Sequence, residues 1–198
     1  MTVPSRSPTD GPVSATPEEA LTVWRNAEMV CSPEQVDTAL RQMASEIATA
    51  LSHRNPLILT VLNGALMVAA QLAVRLEFPL QMGYLHATRY KGNTRGGELH
   101  WVAPPSISVL GRTVLVVDDI LDEGTTLKAI LEDIRRSGAA EVYSAVLVNK
   151  RHDRKEPGLR VDFVGLEVED RYVFGCGMDY KEYLRNLPAI YAVAEANA

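Results

Sequence analysis

Asp118, Asp119, Asp122 and Glu123 fall within six residues, directly after an aliphatic run at 114–117 and directly before Gly124-Thr125-Thr126. Carboxylates this close repel one another, so a sequence serving stability alone would disperse them. The glycine and threonines lead into a helix whose first N–H groups have no intrahelical partner. Those groups, the helix dipole and two hydroxyls suit a phosphate. The carboxylates would repel a bare phosphate and must face something else. A sugar diol needs paired acceptors, and a divalent cation carried by the ligand would relieve the charge. A ribose 5-phosphate fits both halves, with its hydroxyls on Asp118 and Asp119 and its phosphate on Gly124, Thr125 and Thr126.

The elements that must position this turn follow from periodicity. Residues 57–62 and 114–117 are continuous apolar runs, the pattern of strands buried on both faces. Residues 80–85, 142–148 and 161–166 predict further strands. Helices are predicted at 66–76 and at 126–137, where Leu127, Ile130, Leu131 and Ile134 form one stripe and Gly138 closes it. Two more helices precede the first strong strand, starting at Thr16-Pro17-Glu18-Glu19 and Ser32-Pro33-Glu34-Gln35. Residues 89–106 read as a long loop, and the tail from Pro188 as a short helix. The alternation predicts an α/β fold with a doubly wound, mostly parallel sheet. Ligand sites belong at the carboxyl ends of such strands, where Asn63-Gly64 and the acidic turn both lie.

The chain has 198 residues, 46% hydrophobic and 23% charged, with a formal net charge of −5. Residues 1–15 are rich in Pro, Ser, Thr and Gly and predict a disordered tail, leaving 16–198 as a single domain. The mild acidity, with no basic cluster, argues against a nucleic-acid surface. No apolar stretch reaches the roughly 20 residues that span a bilayer. Cys31 and Cys176 are far apart, with neither CxxC nor metal-ligand spacing. Without a signal peptide, this predicts a reducing cytoplasm. No G-x-G-x-x-G follows a strand, which excludes a Rossmann dehydrogenase. A phospho-receiver domain also opens on an acidic pair, but near its start, and would leave the first 100 residues here unexplained.

The stretch TVLVVDDILDEGTT (113–126) resembles the phosphoribosyl-diphosphate (PRPP) motif of type I phosphoribosyltransferases. Its companions in order resemble the hypoxanthine-guanine phosphoribosyltransferase family. They are Leu62-Asn63-Gly64, Leu85 through Tyr90, Val148-Asn149-Lys150, Asp170 through Gly175, and Met178-Asp179-Tyr180 with Arg185. The resemblance spans roughly residues 25–190 and implies the type I phosphoribosyltransferase fold with a small hood formed by the terminal segments.

The resemblance also implies roles. Asp118 and Asp119 would hold the ribose hydroxyls near PRPP-bound Mg2+, and Glu123 to Thr126 would wrap the 5-phosphate. Asp122 would be the general base or acid beside purine N7. Lys150 would donate to the 6-oxo group, Tyr172 would stack on the base, and the Val173 backbone would meet its edge. Taken alone, Lys150 reads as one lysine of a solvated charged run. Asn63 and Gly64 would form the pyrophosphate loop with Arg185, and Asp179 would reach a second Mg2+ through water. Arg89 and Tyr90 would begin a closing lid, with Gly92, Gly96 and Gly97 supplying flexibility.

Two positions depart from the family pattern. Asn63 replaces a common lysine, removing a positive charge, and Glu123 replaces a small hydroxyl residue, so its side chain must point to solvent. The implied activity is purine salvage: Mg2+-dependent phosphoribosyl transfer from PRPP to hypoxanthine or guanine, giving IMP or GMP and pyrophosphate. Alternatives are a xanthine-preferring relative and a non-catalytic nucleotide-binding regulator of the same fold. The expected partners are PRPP and a purine base, with no nucleic acid and no membrane, in a homodimer or homotetramer.

Overall fold

Both helix starts form as the caps predict. The Thr16 hydroxyl accepts the Glu19 N–H at the head of α1 (Pro17–Asn26). Ser32 and Gln35 form a reciprocal capping box at the head of α2 (Pro33–Leu51). The structure, a computed structural model, describes residues 15–89 and 99–194. The expected tail lies outside the described residues except for Ala15, which is buried. Tyr90, Gly92, Gly96 and Gly97 also lie outside them.

The apolar runs become the centre of a six-stranded sheet in the order β4-β3-β2-β5-β6-β7. These strands are β2 (Leu57–Val61), β3 (Gln81–Arg89), β4 (Leu99–Ala103), β5 (Thr113–Leu121), β6 (Glu141–Arg151) and β7 (Phe163–Glu169). All pair in parallel except β4, which runs antiparallel to β3. Every residue of β2 is buried, as are Val114 to Val117. The connection through α3 (Leu66–Ala73) leads from β2 to β3, and that through α4 (Thr125–Arg136) leads from β5 the opposite way to β6. Right-handed crossovers therefore put α3 and α4 on opposite faces. The strand order reverses between β2 and β5, which is where a doubly wound sheet opens its ligand crevice.

The hood is a separate three-stranded antiparallel sheet, β1-β9-β8, built from β1 (Glu28–Cys31), β8 (Val173–Phe174) and β9 (Ile190–Ala192). It has its own apolar cluster around Val23, Phe174, Tyr180, Leu187 and Val193. There the Phe174 ring stacks on Tyr191 at 5.6 Å. The terminal segments thus close over the carboxyl end of the main sheet, as the resemblance implies.

The sequence pattern errs in three places. The predicted loop 89–106 contains β4, an edge strand paired on one side only, whose side chains are at most half-buried. The tail after Pro188 forms β9, not a helix, because it is paired on both sides by β1 and β8. Strand β5 runs on through Leu121, so Asp118 and Asp119 sit inside the sheet rather than beyond it.

Candidate active site

The register of β5 on β6 does the first positioning. Leu121 lies opposite Asn149, so the next residues, Asp122 and Lys150, emerge side by side. Lys150 Nζ donates to Asp122 Oδ2 at 2.8 Å. One pocket of about 210 Å³ gathers Asp119, Asp122, Lys150, Tyr172, Val173 and Asp179, six of the residues singled out by sequence. Ile120 and Met178 complete its wall. Neither carries a chemical signal in sequence; both give the pocket an apolar surface for a flat ring.

The acidic pair behaves differently from Asp122. Burial pushes the Asp118 carboxyl well above its usual value, and the neighbouring Asp119 charge pushes it further. Burial also raises Asp119, partly offset by its bond from the Ile120 N–H and by the Arg185 charge. Two acids held in this way favour a ligand that brings hydroxyl donors or a cation. Partial burial pushes Asp122 up too, but hydrogen bonds and charge from Lys150 and His152 outweigh it and hold the group below its usual 3.8. The pocket therefore presents an ionised Asp122 beside Asp119, one of a pair whose charge is unfavourable, and such a separation is how carboxylates acquire different tasks.

Gly124 makes the turn into α4. Its φ is +83° and a side chain there would meet Leu159 Cδ2 at 2.3 Å, so only glycine fits. Thr125 and Thr126 then open the helix, with Lys128 the first residue to donate back, to the Gly124 carbonyl. The N–H groups of the first turn remain available for an anion. Glu123 points outward, 60% exposed, with Arg154 Nε 4.0 Å away, while its carbonyl accepts the Glu156 N–H at 2.8 Å.

Asn63 and Gly64, expected to form a pyrophosphate loop, reach the same place from β2. A Cβ on Gly64 would lie 2.1 Å from Asp119 Oδ2, so this loop abuts the acidic pair. Asn63 is exposed beside it, and the Leu62–Asn63 peptide is cis. Arg185 pairs with Asp179 at 2.7 Å and donates to the Gly177 carbonyl at 2.7 Å. Arg89 ends β3, with its side chain and Tyr90 outside the described residues.

Sequence reasoning missed the brace after β6. His152 Nε2 lies 2.8 Å from Asp122 Oδ1, and Arg154 pairs with Asp170 at 2.8 Å. Lys155 Nζ donates to the Leu121 carbonyl at 3.0 Å and to Asn149 Oδ1 at 2.5 Å. Strand β6 ends at Arg151 and the chain bends at His152 and Asp153, so no strand alternation in the sequence marks His152 and Arg154. Asp122, His152 and Asp170 also lie close enough to hold a metal. Lys150 and Arg154 already neutralise their carboxylates, however, and this set differs from the expected Asp118, Asp119 and Asp179.

The phosphoribosyl transferase domain family matches residues 32–182, and the chain belongs to that family. Within it, the chain is similar to the hypoxanthine-guanine enzymes. It is 33% identical over 164 residues to hypoxanthine-guanine phosphoribosyltransferase of Bacillus subtilis, covering 82% of this chain and 91% of the relative. It is 30% identical over 163 residues to hypoxanthine-guanine-xanthine phosphoribosyltransferase of Tritrichomonas foetus, covering 82% and 89%. A solved hypoxanthine-guanine-xanthine phosphoribosyltransferase matches with a TM-score of 0.76 at 26% identity, over 87% of this chain and 98% of that one.

Proposed function

We propose that the chain transfers the 5-phosphoribosyl group from PRPP to hypoxanthine or guanine, releasing pyrophosphate. The observation that carries this reading is the Lys150–Asp122 pair inside a pocket that also holds Asp119 and Tyr172. An ammonium donor suits a 6-oxo group and has no acceptor in the amino group of adenine. Asp118 and Asp119 take the ribose hydroxyls, and the backbone of Glu123 to Thr126 takes the 5-phosphate. Tyr172, 48% exposed and braced edge-on by Tyr180 at 5.9 Å, supplies the stacking face, with Val173 at the base edge. Asn63, Gly64 and Arg185 receive the pyrophosphate.

As pyrophosphate leaves C1, N9 of the purine forms the new bond. The proton on N7 passes to Asp122, and the N–H bonding electrons stay in the ring. Asp122, already ionised, serves as acceptor. Arg89 and Tyr90 would close over the site and exclude water that would otherwise capture C1.

Mg2+ suits the donors available. Asp118, Asp119 and Asp179 offer only hard oxygen ligands, and burial leaves the first two with charge to be relieved. When bound, the ion neutralises the departing pyrophosphate. No helix among the described residues is long and apolar enough to cross a membrane. Cys31 and Cys176 are unpaired and buried, with burial holding Cys176 up at about 11. Such thiols are consistent with a cytoplasmic location.

The chain further reads as a homodimer or homotetramer. Helix α3 has no charged residue, and Leu66, Met67 and Val74 stand 53%, 38% and 78% exposed on and just beyond it. Leu66, Ala70 and Val74 follow one another at i, i+4 and i+8, an apolar stripe of the kind that subunit contacts cover.

The test of the activity is nucleotide formation at saturating PRPP with each purine base in turn. IMP and GMP are expected and AMP is not. Turnover with xanthine alone, or nucleotide binding without turnover, would overturn the substrate assignment or the enzyme reading respectively.

A further inference from the structure

We propose that His152 is a positioning residue for the transfer. It grips one oxygen of Asp122 so that the other is presented to the purine. The proposal rests on the reading of Asp122 as proton acceptor. The two oxygens of Asp122 have different partners: Oδ1 meets His152 Nε2 at 2.8 Å, and Oδ2 meets Lys150 Nζ at 2.8 Å.

The direction of the His152 bond is set by the backbone. The Arg154 N–H donates to His152 Nδ1 at 3.1 Å, so that nitrogen carries the lone pair and the hydrogen sits on Nε2. The imidazole therefore donates to Asp122. Its side chain is only 5% exposed, and the Arg154 side chain is tied to Asp170 at 2.8 Å. The ring has little freedom to turn away.

Lys150 and His152 then differ in what a substrate does to them. Lys150 lines the pocket, and its ammonium, with three N–H donors, can turn away from Oδ2 toward a 6-oxo group. His152 is not among the lining residues and stands behind Asp122, so its bond survives binding. Oδ2 becomes the oxygen that receives the N7 proton, and Oδ1 remains the anchor. Without His152, the carboxylate would be free to rotate at the moment Lys150 departs.

The experiment uses His152→Phe and His152→Gln, each in the wild-type and the Asp122→Asn background. Phe fills the slot without donating; the amide of Gln reaches the position of Nε2 and donates. His152→Phe is expected to lower kcat about 10- to 100-fold, the worth of a hydrogen bond to a charged group. KM for PRPP should stay within about twofold, and His152→Gln should recover most of the loss. In the Asp122→Asn background, His152→Phe should cost less than about threefold more, as expected for residues acting as one unit.

An unchanged kcat in His152→Phe, alongside a large loss in Asp122→Asn, would overturn the role of His152 alone. A near wild-type kcat in Asp122→Asn would overturn the reading of Asp122 and the proposal with it. The ring 15N shifts of His152 in the folded wild-type protein provide a readout that does not depend on the variants folding. Hydrogen on Nε2 and a bare Nδ1 are expected; hydrogen on Nδ1 would overturn the proposal.

Discussion

Lys150 Nζ and Asp122 Oδ2 stand 2.8 Å apart, 28 residues apart in sequence, because parallel strands place them one step beyond the matched pair Leu121 and Asn149. The side chain proposed to select the base and the one proposed to take its proton thus neutralise each other.

Replacing the lysine should disturb both tasks. Lys150→Met is expected to lower kcat/KM for hypoxanthine about 10- to 100-fold, with its ratio to adenine falling in step. The pH profile should change as well. Asp122 sits below its usual 3.8 because Lys150 and His152 outweigh burial. A depressed carboxylate contributes stability above its unfolded value and loses it as pH falls through the folded one. It also stays ionised over the whole neutral range. With Lys150 gone and burial retained, the acid limb of kcat/KM should move to higher pH. An unmoved limb would separate the two residues.

The hood and the Asn63-Gly64 loop, proposed to receive the pyrophosphate, meet backbone to backbone. Gly177 has φ +104°, and a Cβ there would sit 2.0 Å from the Gly64 carbonyl oxygen. Gly177→Ala should therefore destabilise the fold by at least about 1–3 kcal/mol, from the conformation alone, and raise KM for PRPP. Denaturant melts and initial rates read both; an unchanged midpoint would contradict the close approach.

Glu123 is expected to be a mild handicap rather than a broken cradle. Its carboxylate is 60% exposed and 4.0 Å from Arg154, and exposed charges interact by about 1 kcal/mol or less. Glu123→Ser should lower KM for PRPP by less than about fivefold. A larger gain would mean that the side chain intrudes on the phosphate.

The apolar stripe on α3 predicts a subunit contact. Val74→Glu should reduce the mass seen by light scattering on a sizing column toward that of one 21.7 kDa chain, with secondary structure unchanged. A wild-type protein that is already monomeric would remove this reading.

Much of the fold was legible because its signals are local. Bare aliphatic runs marked the central strands, and Ser32 with Gln35 marked a helix start that forms as read. Strands β4 and β9 were not legible, since Leu99 to Ala103 is a sheet edge paired only with the preceding β3, and Ile190 to Ala192 owes its form to β1 and β8. The acidic turn was legible for the same local reason. His152 and Arg154 were hidden inside a run of charge that looks like a solvated face. They reach the site because β6 ends at Arg151 and the chain bends at His152 and Asp153, which brings His152 to Asp122 and Arg154 to Asp170.

The most direct measurement of the whole account is the turnover of Asp122→Asn with hypoxanthine and PRPP. The substitution keeps the shape of the side chain and removes the proton acceptor. A fall in kcat of roughly 10²–10⁴ with little change in KM for PRPP is predicted. Turnover close to that of the wild type would contradict the assignment of Asp122, and with it the division of labour proposed for the pocket.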